Sequence, residues 1–343
     1  MNIIDVANYA GVSKSTVSRV LNGKDNVSKE TRLHVQKAME DLGYMPNIAA
    51  RTLSLRRTDC IGIVVERLYD SFFYDLIKGA EDGAHACGLN LIFCDAHGED
   101  KKKGYINYLA QGKVDGIIIY GSYLTDEKLV KQLVCSGFPF MLIENSFEDM
   151  DVNSILINNK QGAYDAVEYL IGIGHRSIAH ITGNMNRKVA LERLNGYVTA
   201  MQQYGIPIPN QYIAYNFSED KYQAGIQHMQ EYLALQQVPS AVFCADYETA
   251  YGVMYAAEQA GLKIPVDLSV IGFDEPKYFE KRFIGPELST VKQPLHDIGK
   301  ESVMLLADII EGKKNAPVKK NFETELLIKA SCDIFRARSI RTK

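Results

Sequence analysis

Four side chains near the amino terminus, Lys14, Ser15, Thr16 and Arg19, have the types and spacing that read base pairs. On a helix with 3.6 residues per turn they share the face opposite Val17, Val20 and Leu21. An Arg on such a face takes guanine O6 and N7 bidentately, and small hydroxyls reach base edges as donors or acceptors. Lys14 could instead meet a phosphate, which positions a protein without reading sequence.

A second group follows short apolar runs. Asp70, Phe72 and Phe73 come after Cys60–Val65, and Glu144 and Asn145 after Phe140–Ile143. Asn184, Arg187 and Arg193 come after Ile178–Ile181, Asp246 after Ala241–Cys244, and Asp274 after Ser269–Phe273. Aromatic faces with convergent carboxylates, amides and an Arg suit a sugar, which needs stacking on its C–H face and bidentate bonds to its hydroxyls. Each has a plainer alternative. Phe72 and Phe73 could be helix core, Arg193 one half of a structural ion pair, and Asp274 a turn cap.

The elements that must hold the first group are short helices. Ile4, Val6, Ala7 and Ala10 give Ile4 to Ala10 one apolar face, with Gly11 as the stop and Ser13 as cap of the next helix. Asn22-Gly23 closes that second helix. A third runs from Ser28 to Gly43, with Leu33, Val35, Ala38, Met39 and Leu42 inward. Two helices meeting at a tight Gly turn, the second starting with small polar residues, make a helix-turn-helix that enters the major groove. Residues 1–58 hold nine Lys/Arg against five Asp/Glu, a net +4. Since the whole chain is −4, residues 59–343 carry −8. A basic head on an acidic body suits phosphate contact by the head alone.

The second group needs a different scaffold. From Cys60 onward apolar runs alternate with helical stretches: Cys60–Val65, Leu89–Cys94, Gly116–Tyr120, Phe140–Ile143, Ser154–Ile157, Ile178–Ile181, Ala241–Cys244 and Ser269–Phe273. Short, fully apolar strands between helices predict parallel sheets covered on both faces. Some 280 residues exceed one core, so two subdomains are expected, with ligand beyond the carboxyl ends of the strands.

Other classes find little support. The six cysteines (60, 87, 94, 135, 244, 332) show no C-x-x-C spacing and read as reduced thiols. No apolar run approaches 18 residues and no secretory signal precedes the head, so no membrane contact is expected and the location is cytoplasmic. Gly172-Ile-Gly-His-Arg-Ser177 lacks the third glycine of a dinucleotide fingerprint and sits between a helix and a strand in the wrong order. No phosphate-binding loop and no G-x-S-x-G occur, and the seven histidines lack metal-ligand spacing. His175 and His180 read as structural hydrogen-bonders, and Lys101-Lys102-Lys103 as a solvated helix start. An enzyme acting on a sugar or nucleotide, or a simple sugar-binding module, is the rival class. No cofactor and no metal are expected.

The chain resembles the LacI/GalR family of bacterial transcription regulators. The head carries this in Asp5-Val6-Ala7, Ala10–Ser13, Thr16–Gly23, Val27-Ser28, Thr31-Arg32, Leu42–Tyr44, Pro46-Asn47 and Ala50–Leu53. The body carries it in Asp115–Ile119, Gly174–Arg176, Arg193–Tyr197, Gly261–Pro265, Ile271–Asp274 and Leu288–Pro294. The resemblance implies an all-α helix-turn-helix headpiece (1–46), a hinge helix and linker (47–58), and a periplasmic-binding-protein-like α/β body (59–343). The body would have two doubly wound parallel-sheet subdomains, about 59–159 with 292–320, and about 160–290 with 321–340. Three crossovers are placed near 158–161, 289–293 and 319–322.

The resemblance also implies a homodimer, or a tetramer built from it, on a pseudo-palindromic operator. Lys14, Ser15 and Arg19 reach bases, with Thr16 nearby. Asn47, Ala50, Arg51 and Leu53 form the hinge, Leu53 wedging into the minor groove as apolar wedges do. A small effector, a sugar before a purine or a phosphoprotein corepressor, would be held by Phe73, Arg193 and Asp274, then Phe72, Glu144, Asn145, Arg187, Asp246 and Phe217. Two departures stand out: Asn158 and Tyr247 occupy positions where the family usually has Asp.

Overall fold

The computed structural model describes residues 1–21, 26–45, 57–121, 123–147, 149–275, 285–314 and 317–335. The chain divides into two compact units, Met1–Thr58 and Asp59–Lys343. Asn22-Gly23 and the hinge residues Asn47, Ala50, Arg51 and Leu53 lie outside the described residues.

The first unit is three helices, α1 (Ile3–Tyr9), α2 (Lys14–Leu21) and α3 (Lys29–Asp41). Asn2 and Asp5 form a reciprocal capping box on α1. The Thr16 N–H donates to Ser13 Oγ over 3.1 Å, and the Thr31 N–H to Ser28 Oγ over 3.1 Å. Each cap satisfies a backbone N–H that its helix leaves unpaired. Gly11, at φ 62°, turns the chain between α1 and α2 where a side chain would be strained. Val6, Ala7, Ala10, Val17, Val20, Val35 and Ala38 are the core. Two expected core residues are exposed instead, Ile4 at 51% and Leu33 at 67%. The buried stripe of α1 is Ile3, Val6, Ala7 and Ala10, and Ile4 falls about 100° from Ile3. On α3 the stripe is Val35, Ala38, Met39 and Leu42, and Leu33 is two residues out of phase with Val35.

The second unit has two six-stranded sheets. The first contains β1 (Cys60–Val65), β2 (Asn90–Asp95), β3 (Gly116–Tyr120), β4 (Phe140–Ile143), β5 (Ser154–Ile157) and β11 (Lys319–Phe322). Its order is β11-β5-β4-β3-β1-β2, and every pairing is parallel. The second contains β6 (Ile178–Ile181), β7 (Ile213–Ala214), β8 (Ala241–Cys244), β9 (Ser269–Phe273), β10 (Ser289–Lys292) and β12 (Glu325–Leu327). Its order is β12-β10-β9-β8-β6-β7, with β12 antiparallel. Helices α4 (Tyr74–Cys87), α5 (Glu99–Ala110), α6 (Glu127–Ser136) and α11 (Leu295–Ile310) belong to the first lobe. Helices α7 (Asn159–Gly172), α8 (Lys188–Gln203), α9 (Lys221–Leu233) and α10 (Tyr247–Gln259) belong to the second. Each sheet is flanked by two apolar clusters, so strands β1, β3, β4, β5, β6, β8 and β9 are buried on both faces, as parallel sheets require, while β2, β11 and β12 keep exposed positions.

The chain passes between lobes after β5, after β10 and after β11. Residues 289–292 and 319–322 are therefore strands rather than crossings. The second crossing falls at 293–294 and the third at 323–324. These strands lack the apolar run that marks the others: β11 reads Lys-Lys-Asn-Phe and alternates between exposed and half-buried. Lys102 also departs from expectation. It is 2% exposed and paired with Asp126 over 2.5 Å, so the basic run is solvated on only part of its length. His175 bonds Ser240 and Ser269, and His180 bonds the Phe243 carbonyl. Among the described residues no helix is long and apolar enough to cross a membrane.

Both lobes bring helices into backbone contact through glycine. A Cβ at Gly79 on α4 would overlap the His296 carbonyl on α11, and one at Gly225 on α9 would overlap the Thr249 carbonyl on α10. Backbone cannot yield as a flexible side chain does. Gly79→Ala and Gly225→Ala should each lower unfolding free energy by about 1–3 kcal/mol, measured by denaturant titration of the whole protein.

Candidate effector cleft and DNA-facing helix

The carboxyl ends of the two sheets meet at a cleft. Glu144 directly follows β4 and Asp274 directly follows β9, the matching strands of the two lobes. Both have positive φ, 64° and 69°, which non-glycine residues rarely adopt. The Glu144 N–H donates to the Ile155 carbonyl and the Asp274 N–H to the Val291 carbonyl, so each strand's neighbour fixes the turn. Strained backbone held this firmly is a mark of functional positions. Here it turns both carboxyls into one cavity of about 150 Å³. A cavity of that size holds about one six-membered ring.

Arg193 of α8 stands between these acids. Its Nε donates to Asn159 Oδ1 over 2.9 Å, Nη1 donates to the Ala245 carbonyl over 2.6 Å and lies 3.6 Å from Asp274 Oδ2. The guanidinium sits 3.6 Å over the Phe273 ring. Gln293 donates to Asp274 Oδ1. In the lining the buried Gln293 Oε1 has no hydrogen-bond partner among the described residues, while the Tyr120 hydroxyl and the Glu144 carboxyl interact with each other. A buried group without a partner is costly unless something satisfies it. Burial pushes the Glu144 carboxyl up to about 7; Arg193 opposes the rise and Asp274 adds to it. Burial also raises Asp274, against Arg193 and Gln293.

Of the residues expected from sequence, Asp70, Phe72, Phe73, Glu144, Asn184, Arg187, Arg193, Asp246 and Asp274 line the cleft. Asn145 does not. It is buried, its Nδ2 donating to the Tyr123 carbonyl and its Oδ1 accepting from the Ser146 N–H, which fixes the loop after Glu144. Phe217 is 63% exposed and outside the lining, although its neighbours Asn216 and Ser218 are in it. Asp70 and Asp246 also cap helices, accepting from the Phe72 and Thr249 N–H groups. Phe72 and Phe73 pack edge to face, 5.1 Å apart at 80°, with Tyr120 against both. Perpendicular rings do not form a parallel sandwich between Phe72 and Phe73. Tyr247 is buried in the lining, whereas Asn158 bonds Glu323 beside the crossings.

Sequence reasoning missed Glu66, Arg67, Tyr120, Lys221 and Gln293. Glu66, Arg67 and Tyr120 do follow or end strands, so the signal that found Asp274 could have found them. Lys221, at a helix start, carried no such mark. At the cleft mouth the lobes bind each other directly. Arg187 Nη2 meets Glu66 over 2.5 Å and the Tyr123 hydroxyl over 2.7 Å, and its guanidinium lies 4.3 Å over the Tyr123 ring. Arg67 pairs with Glu219, and Lys188 donates to Ser146.

In the first unit, Lys14, Ser15 and Arg19 are exposed and Thr16 half-buried, on the α2 face opposite Val17 and Val20. The Ser15 and Thr16 hydroxyls bond Ser13 Oγ. Among the described residues no cluster of His, Cys, Asp or Glu could hold a metal.

A helix-turn-helix with an open polar face, followed by two parallel-sheet lobes closing on a polar cleft, defines a DNA-binding regulator with a ligand-binding body. Residues 2–47 match the model of bacterial regulatory proteins of the lacI family, and residues 58–334 match that of periplasmic binding proteins and the sugar-binding domain of the LacI family. The chain belongs to the LacI family. It is 35% identical to the HTH-type transcriptional repressor CytR of Escherichia coli K12, over 95% of each chain. The Lac repressor dimer bound to operator and the anti-inducer ONPF superposes with a TM-score of 0.85 at 26% identity, covering 97% of this chain and 99% of the other. The transcriptional regulator CelR in complex with cellobiose gives a TM-score of 0.72 at 29% identity, covering 96% and 99%. The protein is a DNA-binding transcription regulator of the repressor type, not an enzyme.

The Glu144 carboxyl generates a pH test. A carboxyl whose pKa rises from 4.5 to about 7 on folding adds stability that is complete below 4.5 and lost as pH climbs through 7. His180, held neutral by burial with its pKa lowered to about 4, works in the opposite sense as pH falls below 6.5. The difference between wild type and Glu144→Gln isolates the carboxyl. The variant should gain up to about 3 kcal/mol on wild type between pH 4.5 and pH 8, read from denaturation midpoints across that range.

Proposed function

We propose that the cleft binds a small sugar and that its occupancy sets how tightly a homodimer holds a pseudo-palindromic operator. The observation that carries this is the convergence of Arg193, Asp274 and Glu144, with the buried polar groups of Tyr120 and Gln293, at the meeting point of two lobes. An Arg and a carboxylate in such a pocket take vicinal hydroxyls bidentately, and the Phe72 edge supplies apolar surface. The family's sugar-binding body and the cellobiose complex of CelR support the same ligand class. Two-fold symmetry would give each head one half-site. Lys14, Ser15, Thr16 and Arg19 would read the major groove, and Asn47, Ala50, Arg51 and Leu53 the centre. The regulator works in the cytoplasm, where its operator is.

Sugar and operator are linked by a coupling free energy: whichever lobe arrangement the sugar stabilises, the operator must favour or oppose to the same degree. The test is operator selection from random duplexes by the full-length protein, followed by affinity measurements with and without sugars. Arg19→Ala should cost about 1–3 kcal/mol at one base pair per half-site and relax the preference there, with the melting temperature unchanged. Equal weakening on every sequence would reassign Arg19 to phosphate. Leu53→Ala should abolish operator affinity while sugar binding, followed by calorimetry, stays intact.

A further inference from the structure

The charge of the cleft restricts the ligand further. Six carboxyl groups line it, Glu66, Asp70, Glu144, Glu219, Asp246 and Asp274, against four cations, Arg67, Arg187, Arg193 and Lys221. Three of the cations are already matched: Arg67 with Glu219, Arg187 with Glu66, and Arg193 with Asp274. Lys221 faces Asp246, Glu248, Asp70 and Asp274 together, so an anion beside it would stand beside them too. Two helix starts at the cleft that could receive an anion are capped by Asp70 and Asp246. The matched cations satisfy protein carboxylates, and a phosphoryl group would have to displace one of them.

The buried polar groups of the lining point the same way. Gln293 Oε1, on a residue 5% exposed, has no partner among the described residues, and the Glu144 carboxyl and Tyr120 hydroxyl, on residues 7% and 5% exposed, interact with each other. Gln293 Oε1 calls for a donor, and the Glu144 carboxyl, which holds its proton to about pH 7, and the Tyr120 hydroxyl can each donate and accept. A phosphate monoester at neutral pH brings mainly acceptors, whereas sugar hydroxyls bring donors. The interior volume of about 150 Å³ matches one six-membered ring, not two.

We infer that the effector is an unphosphorylated monosaccharide, neutral or amino-substituted, held by its hydroxyl or ammonium donors against Glu144, Gln293 and Tyr120. This rests on the sugar reading above and excludes sugar phosphates and disaccharides.

The test uses the full-length protein in titration calorimetry and thermal-shift measurements. The probes are glucose, galactose, ribose and glucosamine, each beside its 6-phosphate (5-phosphate for ribose), with cellobiose and maltose as two-ring probes. Expected is saturable binding of at least one free monosaccharide, its phosphate ester at least about 100-fold weaker. A phosphate ester or a disaccharide binding as tightly as the free monosaccharide overturns the inference. So does the absence of binding by every probe. Where a phosphate ester or a disaccharide is the probe that binds, Asp274→Asn separates failure of the charge and size argument from failure of the cleft reading. If the tightest probe loses at least about 10-fold in affinity in that variant, the cleft is its site, and only the charge or size argument is at stake. If it binds the variant unchanged, the cleft reading itself falls.

Discussion

Arg193 is the fixed point of the body. A guanidinium buried to this degree must be matched by charge and hydrogen bonds, and removing one partner of such a pair costs about 3–5 kcal/mol. Its partners come from the start of α7, the end of β8 and the turn after β9. Satisfying one side chain therefore requires three separate parts of the second lobe to be in place. The same constraint holds Asp274 in its left-handed turn, where Gln293 completes its coordination from the crossing segment.

The two lobes are equivalent sheets put to unequal use. Glu144 and Asp274 occupy matching turns after β4 and β9, yet among the described residues only Asp274 forms an ion pair with Arg193, which acts on Glu144 without one. Glu144 relies on the opposite lobe for compensation and holds its proton to about pH 7. The lobes are also joined at the cleft mouth, through Arg187 to Glu66 and Tyr123 and through Arg67 to Glu219. A ligand that competed for any of these groups would change the balance between the lobes, which is the kind of differential contact that coupling requires.

Much of this was legible in the chain as written. The eight apolar runs mark β1 to β6, β8 and β9 because a strand buried on both faces is apolar along most of its length, and the edge strand β2 still keeps an apolar run. The caps Ser13 and Ser28 were legible because a helix start needs an acceptor for its free N–H groups. Asp274, Arg193 and Glu144 could be found because strand ends in parallel sheets face a cleft. What escaped lacked a local signature. The strands β10 and β11 lie at crossings and β12 at a sheet edge, so they carry mixed polarity. Lys102 looks solvated in sequence and is buried because Asp126, 24 residues on, is there to neutralise it.

Periodicity and strand ends are local, and they settle which elements form and which residues reach the cleft rim. Local sequence carries no information about which charges meet. The pairing of every Arg in the cleft with a carboxylate joins residues up to 152 positions apart, and the perpendicular set of Phe72, Phe73 and Tyr120 likewise joins residues distant in sequence. Composition offered four cations to a ligand. Only the folded arrangement shows that three of them are already held, because ion pairs form where chain crossings bring opposite charges out of water together.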